Sequence, residues 1–182
     1  MGVKLVSASA GSVEIVAPTT ASNYTLTAPA LTGTILTNKT AGTVLQVVQG
    51  ILNTSFTSTS TSFVSTGLSL SITPSSTSNK ILVMFSVSNL TGNVINAGPI
   101  LTLYRNSTNL ISGAVSSQSL GLVQVNLASG GSLYVPVSST FLDSPATTSS
   151  TTYSVYGLIS SAGSWTVNAT GESTITAMEI TG

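Results

Sequence analysis

The chain has 182 residues, 41% of them hydrophobic, and only four basic and four acidic side chains, which cancel to zero net charge. With no histidine and no cysteine it lacks an imidazole base, a thiol nucleophile, a disulfide and a thiolate–zinc site, and a Ser–His–Asp triad is excluded. Zero net charge also removes the electrostatic case for nucleic acid or an anionic membrane as partner. A neutral exterior of Ser, Thr, Asn and Gly suits instead a protein that lives in an assembly.

The mean hydropathy of +0.48 raises the question of a membrane, but no apolar run reaches spanning length. Aromatic residues make up 5% of the chain, thin for the girdles of an outer-membrane barrel. The start, MGVKLVSASAG, lacks a signal-peptide apolar core of usual length, and Val6 stands where the myristoylation pattern needs Ser or Thr. The expectation is a soluble chain without an export signal.

Residues 1–40 read as very short strands, Val3–Val6, Val13–Val16, Asn23–Ala28 and Thr34–Leu36, with Pro18 and Pro29 after strands where a missing N–H does least harm. This segment has too little apolar area to fold alone, so it is expected to order by winding with copies of itself or by lying on a host surface. Residues 41–182 form the main domain. Thr43–Gly50 reads as a strand, and Ser55–Ser62 (SFTSTSTS) as a solvated strand or edge. In Phe63–Thr73, Leu68, Leu70 and Ile72 share the inward face, and Pro74 ends the run.

Turn chemistry in TPSSTSN then leads to the strand that the domain is built on, Lys80–Ser88. Period two puts Ile81, Val83, Phe85 and Val87 on one face, worth roughly 6–12 kcal/mol of gross burial. The other face holds Leu82, Met84, Ser86 and Ser88, so its apolar half needs cover from another layer or subunit. Ile100–Arg105 with the Asn106–Asn109 turn reads as a hairpin. Both faces of Leu120–Leu127 are partly apolar, and Leu120 and Leu122, like Leu82 and Met84, are candidates for subunit contact. Pro136 demotes the strand before Asp143 to an edge or bulge. Asp143-Ser144-Pro145 is a corner in which Asp143 is expected to cap backbone N–H groups. The runs TTYSVYGLI, GSWTVN and STITAMEI close the chain as strands. About ten strands without helical period give an all-β sandwich, with a jelly roll as the preferred variant.

Chemistry-bearing sets are few. The only carboxylates are Glu14, Asp143, Glu172 and Glu179. Glu172 and Glu179 are an odd number of residues apart and fall on opposite faces of one strand, so no glycosidase pair is expected, and capping or solvated-edge roles account for them. Gly130-Gly131 sits between strands with no helix following, which excludes a phosphate loop. For glycan recognition the aromatic candidates are Trp165, Tyr104, Tyr153 and Tyr156. Tyr104 beside Arg105, and Trp165 beside the Gly163-Ser164 turn, are expected to be exposed. Core or interface filling is the more ordinary role for such residues.

GTVLQVVQG, TSTSFVSTGLSLSITPSSTSNKILVMFSVS, TLYRNSTNLI, FLDSPATTSSTTYSVYG and STITAMEI, in that order, resemble the outer β-domains of bacteriophage virion proteins. Such proteins are met in marine and cyanobacterial phages and are described as tail-fibre or structural proteins. SVEIVAPTTASNYTLTAPALTGTILT looks like the strand-and-turn lead-in that precedes these domains. The resemblance implies a homotrimeric β-sandwich on the virion surface, with no cofactor or catalytic residue, made in the host cytoplasm. Its partners would be copies of itself and the major capsid protein or a tail component, not nucleic acid or membrane. The chain has room for neither an adaptor nor a long shaft. A capsid-surface decoration protein, a cement, knob or head fibre anchored through residues 1–40, is therefore expected ahead of a short tail fibre whose tip binds a host glycan.

Overall fold

A computed structural model of the chain describes residues 3–6, 12–15, 41–93, 98–111, 123–125, 134–168 and 170–182, with backbone alone for 3–6, 12–15 and 123–124. Two compact units divide the chain, Met1–Leu36 and Thr37–Gly182. The first holds β1 (Val3–Val6) and β2 (Ser12–Ile15), an antiparallel pair. Its register sets Val3 against Ile15 and Leu5 against Val13, alternating with Lys4 against Glu14 and Val6 against Ser12. The strands expected at Asn23–Ala28 and Thr34–Leu36 lie outside the described residues.

The second unit holds β3 (Val44–Leu52), β4 (Phe56–Ser58), β5 (Val64–Ile72), β6 (Lys80–Gly92), β7 (Pro99–Arg105), β8 (Thr108–Asn109), β9 (Val123–Gln124), β10 (Val135–Asp143), β11 (Thr151–Ile159), β12 (Trp165–Val167) and β13 (Ser173–Ile180). No helix occurs among the described residues. Two antiparallel sheets stack on a shared core, so the unit is an all-β sandwich. In the first sheet β6 is central: β10 runs along one of its edges, and β13 and then β3 along the other. Past the end of β13, the short strands β12 and β4 continue that second side. In the second sheet β11 lies between β5 and β7, and β8 and β9 both pair with the far edge of β7. The antiparallel pairs β3·β13, β5·β11, β6·β10 and β7·β9 are nested along the chain and alternate between the two sheets.

The alternation read from the sequence holds where it is strictest. Leu68, Leu70 and Ile72 of β5 and Ile81, Val83, Phe85 and Val87 of β6 are buried in one cluster with Leu101, Leu103, Val155, Ile175 and Ala177. β6 runs four residues beyond the predicted Ser88, to Gly92, where it pairs with β12, and it carries a bulge on the way: Val137 pairs with Val87 but Val135 with Leu90. The shift falls at Pro136, whose ring has no N–H to give to the ladder, and among the described residues β10 pairs with β6 alone, as the proline predicted.

Trp165 is the largest side chain in this core and is fully buried. Its ring meets Phe56 edge-on at 5.6 Å and lies over Gly157 of the opposite sheet, where an added Cβ would overlap the indole and Leu101. Gly157→Ala is therefore expected to cost about 1–3 kcal/mol of stability, read as a lowered urea midpoint with unchanged slope. An unchanged midpoint would mean that the indole has room to move.

Candidate functional site

The registers place side chains of the first sheet's outer face in rows across its four long strands. Leu142 of β10 pairs with Leu82 of β6, Leu82 with Met178 of β13, and Met178 with Val47 of β3. An unbroken apolar stripe thus crosses the full width of the sheet, at right angles to the strands. Val47 is 56% exposed and Leu142 50%, while Leu82 and Met178 between them are half-buried. The next row reads Thr140, Met84, Thr176, Gln49, and the one after it Ser138, Ser86, Thr174, Ile51. Ile51 and Val44, at 54% and 49%, extend the apolar surface along β3.

The second sheet has the opposite character on its outer face. Ser65, Ser69 and Ser71 of β5 are exposed, Thr152 and Ser154 of β11 half-buried, and Ser71 and Thr152 hydroxyls hydrogen-bond at 2.7 Å. From this face rises an aromatic cluster in which Tyr104 stacks on Tyr156 at 4.0 Å and meets Phe63 edge-on at 6.2 Å.

Three charged groups, Arg105, Asp143 and Glu179, are used within the fold. Asp143 does not cap the corner after β10; its carboxylate accepts both hydrogen bonds from Arg105 Nη1 at 2.9 Å and one from the Tyr153 hydroxyl at 2.6 Å. β10 and β7 belong to different sheets, so this ion pair ties the layers together at one end. Burial and the Asp143 carboxylate push the Tyr153 hydroxyl above the usual phenol range. Glu179 is also not a solvated-edge residue. It is fully buried and accepts from Asn79 Nδ2 at 2.6 Å, Ser75 N at 2.6 Å, Ser75 Oγ at 2.7 Å and Gln46 Nε2 at 2.5 Å. Burial pushes its carboxyl up, but the bonds from Asn79, Gln46 and Ser75 outweigh that and hold its pKa at about 2. A half-open cleft of about 500 Å³ lies in front of this knot, lined by Leu45, Ser75, Ser76, Ser78, Asn79, Thr181 and Gly182.

Asn168, buried with φ of 57°, donates to Leu52 O and Thr54 O and accepts from Ser88 and Ser173 hydroxyls, closing a fully satisfied polar knot beside β12. No group of three acidic, His or Cys residues that could hold a metal occurs among the described residues.

Leu82 and Met84, expected on the second face of the central strand, stand on the outer face of the first sheet. Leu120 and Leu122 lie outside the described residues. Trp165 is corrected: it cannot present a ring to a sugar, because its short strand β12 is enclosed between β6 and β4 with the indole turned into the core. Tyr153 is likewise a core residue. Arg105 is 27% exposed but committed to Asp143. Tyr104 remains at the surface in part, joined by Tyr156 and by Phe63, which the sequence did not single out. The sequence also gave no reason to join Val47, Met178 and Leu142 to Leu82, since each sits on a separate strand and only the register aligns them. No protein-family model matches the chain, and no curated protein matches it.

Proposed function

We propose that this protein is a non-enzymatic structural component of a bacteriophage virion. In this reading it is a homotrimeric capsid-surface decoration, a cement, knob or head-fibre protein, with residues 1–40 anchoring it to the shell and the sandwich projecting. The observation that carries the reading is where the reactive groups are spent. Both buried carboxylates, Asp143 and Glu179, are saturated by bonds inside the fold, while the outward surface offers hydroxyls on one sheet and aliphatic side chains on the other. Such a molecule acts by being packed and held. The nested antiparallel strand pairs support reading the sandwich as a jelly roll, an architecture that recurs in viral shells and lectins.

Quantitative mass spectrometry of purified particles tests the assignment. Tens to hundreds of copies per particle are expected for a decoration, a handful for a tail component, and none would overturn the virion reading. A short tail fibre or receptor-binding tip is the second reading, favoured by the Tyr104–Tyr156 stack standing on a face of neutral hydroxyls, a surface suited to a host glycan. Under that reading Tyr156→Ala abolishes binding of the particle to host glycan, and retained binding removes it.

A further inference from the structure

The geometry points to the stripe Leu142–Leu82–Met178–Val47 as the seam on which a second copy of this chain docks; this deepens the homotrimer proposed above and rests on it for the number of copies. The argument begins with the contrast between the two outer faces. An antiparallel sheet that faces water on one side alternates apolar inward with polar outward. The second sheet follows this along β5 with Ser65, Ser69 and Ser71 and on β11 with Ser154, its outward aromatics Tyr104 and Tyr156 being stacked on one another. In the first sheet the outward positions of one complete row are aliphatic or thioether on all four strands, and the two end members are half in water.

Area and charge identify the occupant. With strands about 4.8 Å apart and same-face residues about 6.8 Å apart, four strands by four rows present roughly 500 Å² of projected area, more once side-chain relief is counted. Stable interfaces bury about 600–800 Å² per partner, so the face is of the size that one neighbouring sheet covers. Within the three rows from the stripe to Ile51 the face carries no ionisable side chain, and the row on the other side of the stripe, Lys80, Ile180 and Val44, carries one, the exposed Lys80. It therefore offers a charged partner only the single lysine at its margin, and across those three rows it brings no like charges together when it meets itself. The flanking Thr140, Thr176 and Gln49 supply a rim that can both donate and accept, so copies can satisfy one another.

The chain contains no cysteine, which makes the test direct. Val47 and Leu142 stand on the opposite edge strands β3 and β10, three strand spacings or about 14 Å apart, too far for a disulfide within one copy. Val47→Cys combined with Leu142→Cys in the full chain is expected to yield covalent multimers on oxidation, while Ser69→Cys on the opposite sheet yields none. Light scattering of the unmodified protein at about 10 µM is expected to give a multiple of the 18.3 kDa chain mass. Val47→Asp with Leu142→Asp, both at half-exposed positions, should return it to the single-chain mass, with circular dichroism reporting an intact sheet. A single-chain mass for the unmodified protein overturns the seam, and so does covalent capture no greater at 47 and 142 than at 69. The virion reading fails separately, if an oligomer held by this stripe is absent from particles.

Discussion

Asp143→Ala is expected to lower the unfolding free energy by about 3 kcal/mol, the lower end of the range for breaking a buried ion pair by removing one partner. Two groups lose their counterpart at once. The Arg105 guanidinium keeps some access to water at 27% exposure, which moderates its share, but the Tyr153 hydroxyl is fully buried and has no other acceptor among the described residues. An unpaired buried hydroxyl costs about 1–3 kcal/mol. Because the pair joins β7 of one sheet to β10 of the other, the loss is felt between layers, and the thermal midpoint should fall by about 6–12 °C for a domain of this size. Tyr153→Phe removes only the hydroxyl and should cost about 1 kcal/mol, since the Asp143 carboxylate left behind still accepts from Arg105. If Asp143→Ala shifts the denaturant midpoint no more than Tyr153→Phe does, the ion pair contributes nothing to holding the sheets together.

The same residue shows where sequence reading reaches and where it stops. Alternation in residues 68–72 and 81–87 made the inward faces of β5 and β6 legible, because burial of a strand face is a local pattern. Pro136 announced an edge for an equally local reason, a missing N–H. Asp143 and Glu179 were misassigned because their partners are distant: Arg105 lies 38 residues away, and Asn79 and Ser75 are 100 and 104 residues from Glu179. A carboxylate in a strand reads as solvated until the fold brings donors to it. Trp165 misled for a related reason. A lone tryptophan beside a glycine turn suggests exposure, but the space that receives it is provided by Gly157 on the other sheet. The stripe is the extreme case. Leu82 was visible as an outward leucine, yet its continuity with Leu142, Met178 and Val47 depends on three inter-strand registers that no single strand encodes.

Acid is expected to destabilise this protein chiefly through Glu179. Its folded pKa of about 2 lies below the ordinary 4.5, so the carboxylate's contribution is complete above about pH 4.5 and is lost as the pH falls toward 2. The difference corresponds to about 3 kcal/mol. Glu179→Gln should lose a comparable amount at pH 7, because its amide turns a donor toward Asn79, Ser75 or Gln46, which are themselves donating, and a buried donor is left facing donors. It should also flatten the limb between pH 4.5 and 2, since the titrating group is gone. Urea unfolding at pH 7, 4.5 and 2.5 reads both effects, and parallel pH slopes for the two proteins would show that the carboxylate is not what titrates. The consequence extends past stability. Glu179 pins β13 from the inside, next to the residue, Met178, that β13 contributes to the outer stripe. Loosening the inward anchor lets the strand shift in register, and a one-residue slip turns Met178 away from Leu82 and Val47. Glu179→Gln should therefore weaken self-association as well as folding, whereas Tyr153→Phe, on the second sheet, should affect folding alone.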